Sequence, residues 1–114
     1  MIQKPNKDRT TTPPKGDKIK DIYLAGKVTG IEYEKCLRKF DVYELLLKSS
    51  EYNVTNPMHH ISKHASWEEA MEISMELLKT CDAIFLIKDW INSKGAKQEL
   101  IYALQHDYEI ITNF

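Results

Sequence analysis

The chain has 114 residues, of which 42% are hydrophobic and 29% are charged, and its formal net charge is -1. This length accommodates one domain with a hydrophobic core and leaves little room for a second. The near-neutral charge argues against a protein that binds nucleic acid non-specifically, which would carry a basic excess. No apolar run approaches the length of a membrane span and no signal-peptide core follows Met1, so we expect a cytoplasmic protein that does not engage membranes.

The first part of the chain lacks the composition of a folded element. Residues 1–17 contain almost no large apolar side chains and hold three of the four prolines. We therefore expect residues 1–17 to form a flexible leader and residues 18–114 to form the domain. Two cysteines, Cys36 and Cys81, are interpreted as small buried residues in a reducing compartment rather than as a disulfide.

From residue 19 onward, short apolar runs alternate with segments of helical periodicity. The predicted strands are residues 19–25, 52–55, 82–88 and 108–112, and the predicted helices are 31–49, 66–81 and 94–107. A capping box, Ser66 to Glu69, marks the start of the second helix. The alternation predicts a single-domain α/β three-layer sandwich, in which helices cover both faces of a parallel, Rossmann-like or flavodoxin-like sheet of about four to five strands.

Parallel sheets of this kind bind ligands beyond the carboxyl ends of their strands, near a switch in strand order. Here that rule selects the loops 26–30, 56–64 and 89–95. We expect substrate-binding residues in these loops, namely Gly26, Thr29, Gly30, Asn56, Asp89, Ser93 and Gly95.

The first of these loops has two glycines, Gly26 and Gly30, between a strand and a helix. Glycines there let the backbone approach a ligand closely, and the helix N-terminus that follows attracts anionic groups. The spacing matches neither a dinucleotide-binding fingerprint nor a P-loop. The alternative is that the glycines only form a tight turn from strand to helix.

Glu99 is the most unusual residue of the last predicted helix. At a period of 3.6 residues it falls on the apolar stripe formed by Ala96, Leu100, Ala103 and Leu104. An ionised carboxylate that faces a core is costly, so it is usually paired, protonated or functional. Ser93 and the amides around Gly95 could hold a hydroxyl or phosphate at the helix start, with Glu99 one turn below. The alternative is that Ser93 only caps the helix and that Glu99 bends outward or pairs with a lysine.

The loop after the second strand contains His59, His60 and His64. Two of them are adjacent and no carboxylate motif accompanies them, whereas a closed zinc site requires about four well-placed ligands. We therefore expect neither a metal site nor a cofactor. A histidine at the mouth of the pocket, in contact with a base or phosphate, is the preferred interpretation.

Five segments in order resemble the nucleoside 2-deoxyribosyltransferase-like superfamily, in particular its short, uncharacterised branch common in phage and mobile-element genomes. They are a first strand ending in Tyr-x-x-Gly, a strand–Asn-Pro junction, Ser-Trp-Glu-Glu, Cys-Asp-Ala-Ile-Phe-Leu, and Trp-x-x-Ser-x-Gly-Ala-x-x-Glu. In this chain they occupy residues 23–26, 54–57, 66–69, 81–86 and 90–99. The resemblance covers residues 19–112.

The resemblance implies cleavage of the N-glycosidic bond of a nucleoside or nucleoside 5′-monophosphate. It assigns Glu99 as the nucleophile, resolved by water or by a second base, and Tyr23 as the residue whose hydroxyl positions that carboxylate. Ser93 matches a position that holds either an acid binding a 5′-hydroxyl or a serine binding a 5′-phosphate, which favours a monophosphate. Relatives assemble as dimers or larger, so we expect a homodimer or higher homo-oligomer.

One position departs from the family pattern. Enzymes of the family carry an acid in the second helix, eight residues before the aspartate that opens the third strand, and it assists the leaving base. With that aspartate at Asp82, the position is Ser74, and Glu72, Glu76 or Asp89 could substitute. Two functions therefore stay open: an N-glycosidase or deoxyribosyltransferase, and a catalytically weak or inactive nucleotide-binding module of the same fold. A purely structural or partner-binding role is the remaining alternative.

Overall fold

The computed structural model describes residues 19–112, so the leader expected at residues 1–17 lies outside the described part. The strands within residues 19–112 are β1 (Asp21–Ala25), β2 (Asn53–Thr55), β3 (Ala83–Leu86) and β4 (Glu109–Ile111). The helices are α1 (Tyr33–Lys48), α2 (Trp67–Leu78) and α3 (Lys94–Gln105). Short 3₁₀ helices, Pro57–His59 and Trp90–Asn92, lie in the loops after β2 and β3.

The four strands form one all-parallel sheet in the order β2-β1-β3-β4. The chain moves from β1 to its neighbour β2, then crosses back over β1 to reach β3 and continues outward to β4. This reversal between β1 and β3 is the switch in strand order at which open α/β sheets bind ligands. The α/β, Rossmann-like fold expected from the sequence is confirmed.

Two separate cores cover the two faces of the sheet. On one face, Ile22 and Leu24 of β1 and Phe85 of β3 pack against Cys36, Phe40 and Leu47 of α1. On the other face, the alternate residues of the same strands pack against α2 and α3, through Leu78, Ala96 and Ala103. Central parallel strands are buried on both faces, which explains why β1 and β3 appear in the sequence as continuous apolar runs.

The strand alternation sends the Tyr23 side chain to the face covered by α2 and α3, where it belongs to the second core. Ser66 and Glu69 form both hydrogen bonds of the expected capping box at the start of α2. Ser93 caps α3 by accepting a hydrogen bond from the Ala96 amide. These two caps fix where the helices that flank Tyr23 begin.

The expected burial of the two cysteines is confirmed, whereas the expected burial of Leu104 in α3 is wrong. Cys36 and Cys81 are buried free thiols, as expected. The apolar stripe of α3 is narrower than its sequence indicates, because Ala96, Glu99 and Ala103 are its buried residues while Leu104 is 59% exposed. Within residues 19–112, no helix combines the length and apolar character that crossing a membrane requires.

Candidate functional site

The candidate site lies at the carboxyl ends of β1 and β3. Gly26 follows β1 directly, and a β-carbon placed there would lie 2.9 Å from the β-carbon of Ile87, the residue after β3. This separation is closer than real contacts between such atoms, so only glycine fits where the two strands end side by side. The Ile87 amide also donates to the Ala25 carbonyl at 2.8 Å and prolongs the pairing of the strands to this point.

A cavity of about 340 Å³ opens at this end of the sheet. It is bounded by the loop after β1, the loop after β2, and the facing sides of α2 and α3. Its walls are mainly apolar and include Tyr33, Met58, Ile61, Trp67, Ala70 and Met71. Its volume lies within the range of about 300–1,000 Å³ typical of small-molecule pockets.

Six of the nine sequence-predicted site residues line this cavity: Tyr23, Gly26, Thr29, Ser93, Gly95 and Glu99. They come from β1, the loop after it, and the first two turns of α3. Tyr23 and Glu99, 76 positions apart in the chain, are thus brought to one wall by the pairing of β1 with β3 and the packing of α3 on the sheet.

Glu99 is the buried carboxylate of the cavity, with a side chain only 5% exposed. The Tyr23 hydroxyl donates a hydrogen bond of 2.6 Å to Glu99 Oε2. Tyr23 is itself 1% exposed, so the geometry of the pair is fixed by the packing of the second core around the tyrosine ring. The alternative in which Glu99 bends outward to solvent is wrong.

Ser74 is the third polar residue buried at this point. It lies on α2, is 6% exposed and lines the cavity, and its hydroxyl is near enough to Glu99 and Tyr23 to lower the pKa of both. In the sequence, Ser74 is notable only because it departs from the pattern of the resembled superfamily. Its position four residues before the core residue Leu78 is the signal that places it on the buried face of α2.

Burial raises the pKa of the Glu99 carboxyl from 4.5 to about 7, although the hydrogen bonds from Tyr23 and Ser74 lower it. Burial and the neighbouring Glu99 raise the pKa of Tyr23 well above its ordinary value, so the phenol keeps its proton and acts as a donor. A carboxyl group that ionises near neutral pH inside a cleft is typical of functional sites.

The N-terminus of α3 forms the other polar part of the wall. Ser93 Oγ accepts from the Ala96 amide at 3.0 Å, which leaves the hydroxyl proton available to a ligand. A β-carbon at Gly95 would lie 2.9 Å from Met71 Sδ, so α2 and α3 approach closely here. A more open depression next to the cavity shares Ser93 and Gly95 with it and adds two cationic residues and one acidic residue, Lys27, Lys94 and Glu68.

The other three predicted binding residues do not line the cavity. Gly30 has a φ of +86° and is the third residue of a turn closed by a hydrogen bond from the Ile31 amide to the Val28 carbonyl. No atom lies within 4 Å of the position of its missing β-carbon, so the turn accounts for this glycine.

Asn56 and Asp89 are instead engaged in hydrogen bonds that hold the loops. The Asn56 side chain accepts from the Met58 amide and donates to Asp41 and Glu44 of α1. The Asp89 carboxylate accepts from the Lys27 amide at 2.9 Å and from the Lys39 ammonium group. Polar residues in ligand-facing loops thus position the loops themselves.

The expected histidine at the pocket mouth is absent from the described wall, since His59, His60 and His64 are exposed and lie outside it. Within residues 19–112, His59 and two acids of α1 bring possible metal-ligating atoms within 4.8 Å of one another. His59 Nε2 lies 2.6 Å from Asp41 Oδ1, and the same acids accept from the Asn56 amide group. This network joins the loop after β2 to α1.

None of the acids considered as replacements at position 74 lines the described cavity. Glu72 and Glu76 are exposed on α2, and Glu76 pairs with Lys79. The Asp89 carboxylate accepts from the Lys27 amide and the Lys39 ammonium group instead. Of the lining residues between 19 and 112, Glu99 alone carries a carboxyl group.

Comparison with known proteins adds one assignment. Residues 20–112 match the family described as a domain of unknown function (DUF4406), which spans nearly the whole described range. No curated protein matches the chain.

Proposed function

The chain belongs to the DUF4406 family, and we propose that it cleaves the N-glycosidic bond of a nucleoside or nucleoside 5′-monophosphate. The observation that carries the proposal is the buried Glu99 carboxylate, which lies on the wall of a small-molecule cavity and is held by the Tyr23 hydroxyl at 2.6 Å. The pattern shared with nucleoside 2-deoxyribosyltransferase-like proteins supports the same reaction.

In the proposed reaction, a Glu99 oxygen attacks the anomeric carbon of the sugar. The bond from that carbon to the base breaks, and its electron pair leaves with the base. The transition state resembles an oxocarbenium ion, which a carboxylate beneath the anomeric carbon stabilises before it forms the glycosyl ester. Water then regenerates the carboxylate in a hydrolase, and a second base does so in a transferase.

Tyr23 positions the Glu99 carboxylate in this reaction. Its hydroxyl holds one carboxylate oxygen, Oε2, and in the proposed reaction the other, Oε1, attacks the sugar. Its hydrogen bond also lowers the pKa of Glu99 against the effect of burial, so that a larger fraction of the carboxyl is ionised at neutral pH. Only the ionised form is a nucleophile.

The remaining walls suit the other parts of a nucleotide. Aromatic and thioether side chains, those of Tyr33, Trp67 and Met71, provide apolar surface for a base. The Ser93 hydroxyl and the amides at the start of α3 suit the 5′-hydroxyl or 5′-phosphate, near Lys27 and Lys94. We therefore propose Gly26, Thr29, Ser93 and Gly95 as substrate contacts.

A second candidate function is a nucleotide-binding module that is catalytically weak or inactive. Ser74 favours this alternative, because it occupies the position at which enzymes of the resembled family carry an acid. The cavity and its polar end would then bind a nucleotide without turning it over.

Base release distinguishes the two functions. The protein is incubated with ribo- and deoxyribonucleosides and their 5′-monophosphates, and free base is quantified by liquid chromatography. We expect release by the wild type and a loss of at least about 100-fold in Glu99→Gln, while the exposed-glutamate control Glu72→Gln keeps wild-type activity. Binding without release by the wild type would support the second candidate instead.

The oligomeric state is a separate proposal. The family resemblance favours a homodimer or larger assembly, and exposed apolar side chains such as Leu45 (71% exposed) are available for contact. Light scattering coupled to gel filtration tests this directly.

A further inference from the structure

The Glu99 carboxylate is buried, and no cationic side chain among residues 19–112 pairs with it. The Tyr23 hydroxyl, which donates to it, and the nearby Ser74 hydroxyl are both neutral. No lysine, arginine or histidine between residues 19 and 112 forms an ion pair with it. Buried charges are normally paired, because burial without a partner costs several kcal/mol. The cavity reaches this carboxylate, so a ligand can supply the missing positive charge.

The lysine that lines the cavity does not meet this need. Lys63 is exposed, and its ammonium group lies 5.8 Å from the centre of the Tyr33 ring. Its position at the solvent side suits an anionic group of the substrate, such as a 5′-phosphate, rather than the buried carboxylate.

Besides Glu99, the described wall offers no carboxyl group that could protonate the leaving base. Ser74 occupies the position of the acid in the resembled family, and a serine hydroxyl is too weak an acid to take that part. Glu99, the lining carboxyl group between residues 19 and 112, is required as the ionised nucleophile. A neutral base that departs without a proton leaves as an anion, which is a poor leaving group.

A base that is already positively charged before cleavage explains both the unpaired charge of Glu99 and the lack of a second carboxyl group on the wall. We propose that the substrates of this site are cationic N-glycosides, in which the ribosyl group is attached to a quaternised ring nitrogen, as in an N-ribosyl pyridinium. This inference rests on the proposed function and specifies its substrate class. Glu99 attacks from the face of the sugar opposite the ring, so its unpaired charge attracts the cationic ring across the anomeric carbon. The ring then departs without a proton from an acid.

The step is balanced without a further reactant. A Glu99 oxygen forms a bond to the anomeric carbon as the carbon–nitrogen bond breaks, and the electron pair of that bond neutralises the ring nitrogen. The products are a neutral pyridine and the glycosyl ester of Glu99. Water then attacks the anomeric carbon, the carboxylate is released, and one proton passes to solvent.

The first test compares cleavage of two groups of substrates. Nicotinamide riboside and its 5′-phosphate are the cationic probes, and uridine, cytidine, adenosine, guanosine and their 5′-phosphates are the neutral ones. We expect kcat/KM to be at least about 100-fold higher for the cationic group in the wild type, with both groups at background in Glu99→Gln.

The second test restores an acid at position 74. Ser74→Asp is expected to raise kcat/KM for the neutral substrates at least about 10-fold. The preference for cationic over neutral substrates should decrease accordingly. Ser74→Asn, whose side chain has the size and shape of aspartate without its acid, is the matched control and should not raise kcat/KM for the neutral substrates above the wild-type value.

A third measurement does not depend on turnover. Nicotinamide riboside and its neutral 1,4-dihydro form differ chiefly in charge, and their dissociation constants are measured with the wild type and Glu99→Gln. We expect the cation to bind at least about 10-fold more tightly to the wild type and the preference to disappear in the variant.

The outcomes separate the two proposals. Glu99-dependent cleavage of neutral nucleosides at rates equal to or above those of the cationic probes would overturn the substrate class and leave the proposed function standing. Equal binding of the cation and its dihydro form would also overturn the substrate class. Failure of the wild type to cleave any glycoside would refute the proposed function, and the substrate class with it.

Discussion

Replacing Glu99 by glutamine should stabilise the protein, and the gain should depend on pH. Burial raises the pKa of Glu99 from 4.5 to about 7 in the folded protein. This difference corresponds to about 3 kcal/mol, at about 1.4 kcal/mol for each pH unit. Above pH 7 the ionised Glu99 therefore lowers the free energy of unfolding by this amount. Glutamine keeps the shape of the protonated side chain without the charge.

The pH range of the effect follows from the two pKa values. Below about pH 4.5 the carboxyl is protonated in both the folded and the unfolded chain, so the substitution removes no electrostatic cost. As the pH rises, the unfolded chain loses its proton first, and the wild type loses stability relative to the variant until the folded carboxyl is also ionised. The difference is fully developed above about pH 7.

Urea unfolding, followed by tryptophan fluorescence, measures this effect. The free energy of unfolding of Glu99→Gln should exceed that of the wild type by an amount that grows by about 2 to 3 kcal/mol between pH 5 and pH 8.5. Glu72→Gln, at an exposed position of α2, is the control and should show no such growth. A difference that does not change with pH, or a variant less stable than the wild type at pH 8.5, would refute the reasoning.

Three further substitutions test the surroundings of Glu99. Tyr23→Phe removes a hydrogen bond that lowers the pKa of Glu99, so the acidic limb of kcat/KM against pH should move upward by about one pH unit. Ser74→Ala should move it in the same direction by a smaller amount, as measured from the same profile. Gly26→Ala should cost about 1 to 3 kcal/mol in urea unfolding, because its β-carbon would lie 2.9 Å from that of Ile87.

Each of these has an outcome that contradicts it. If Tyr23→Phe or Ser74→Ala lowers the maximal kcat/KM without moving the acidic limb, the hydroxyl that was removed does not affect the pKa of Glu99. Gly95→Ala is the control for Gly26, because the atom closest to its β-carbon, Met71 Sδ at 2.9 Å, lies in a flexible side chain. Equal losses at the two glycines would mean that the close approach of the strands is not what requires Gly26.

The fold could be predicted because the central strands are buried on both faces. β1 and β3 are continuous apolar runs separated by helical periodicity, and this pattern suits few architectures other than a covered parallel sheet. Glu99 could be found for a related reason, since a charge on a buried helical face contradicts the period of its own helix. Leu104 shows the limit, because α3 packs through a narrow stripe of small residues and leaves that leucine at its flank.

The contacts of the loops could not be predicted. Asn56 and Asp89 lie in loops at the ligand-binding edge, yet their side chains bind α1 and neighbouring loops instead of facing the cavity. Sequence position gives the edge of the sheet but not the direction of each side chain. Ser74 shows the converse, because its contact with Glu99 exists only when α2 and α3 pack side by side.

The central claim is that Glu99 forms a bond to the sugar. Nucleosides of 2-deoxy-2-fluoroarabinose slow the breakdown of a glycosyl ester because fluorine destabilises the oxocarbenium-like transition state. Incubation with such a nucleoside, followed by intact-mass and peptide mass spectrometry, should show one sugar adduct per chain, located on Glu99 and lost in Glu99→Gln. Base release without an adduct on Glu99, or with an adduct on another residue, would contradict the account.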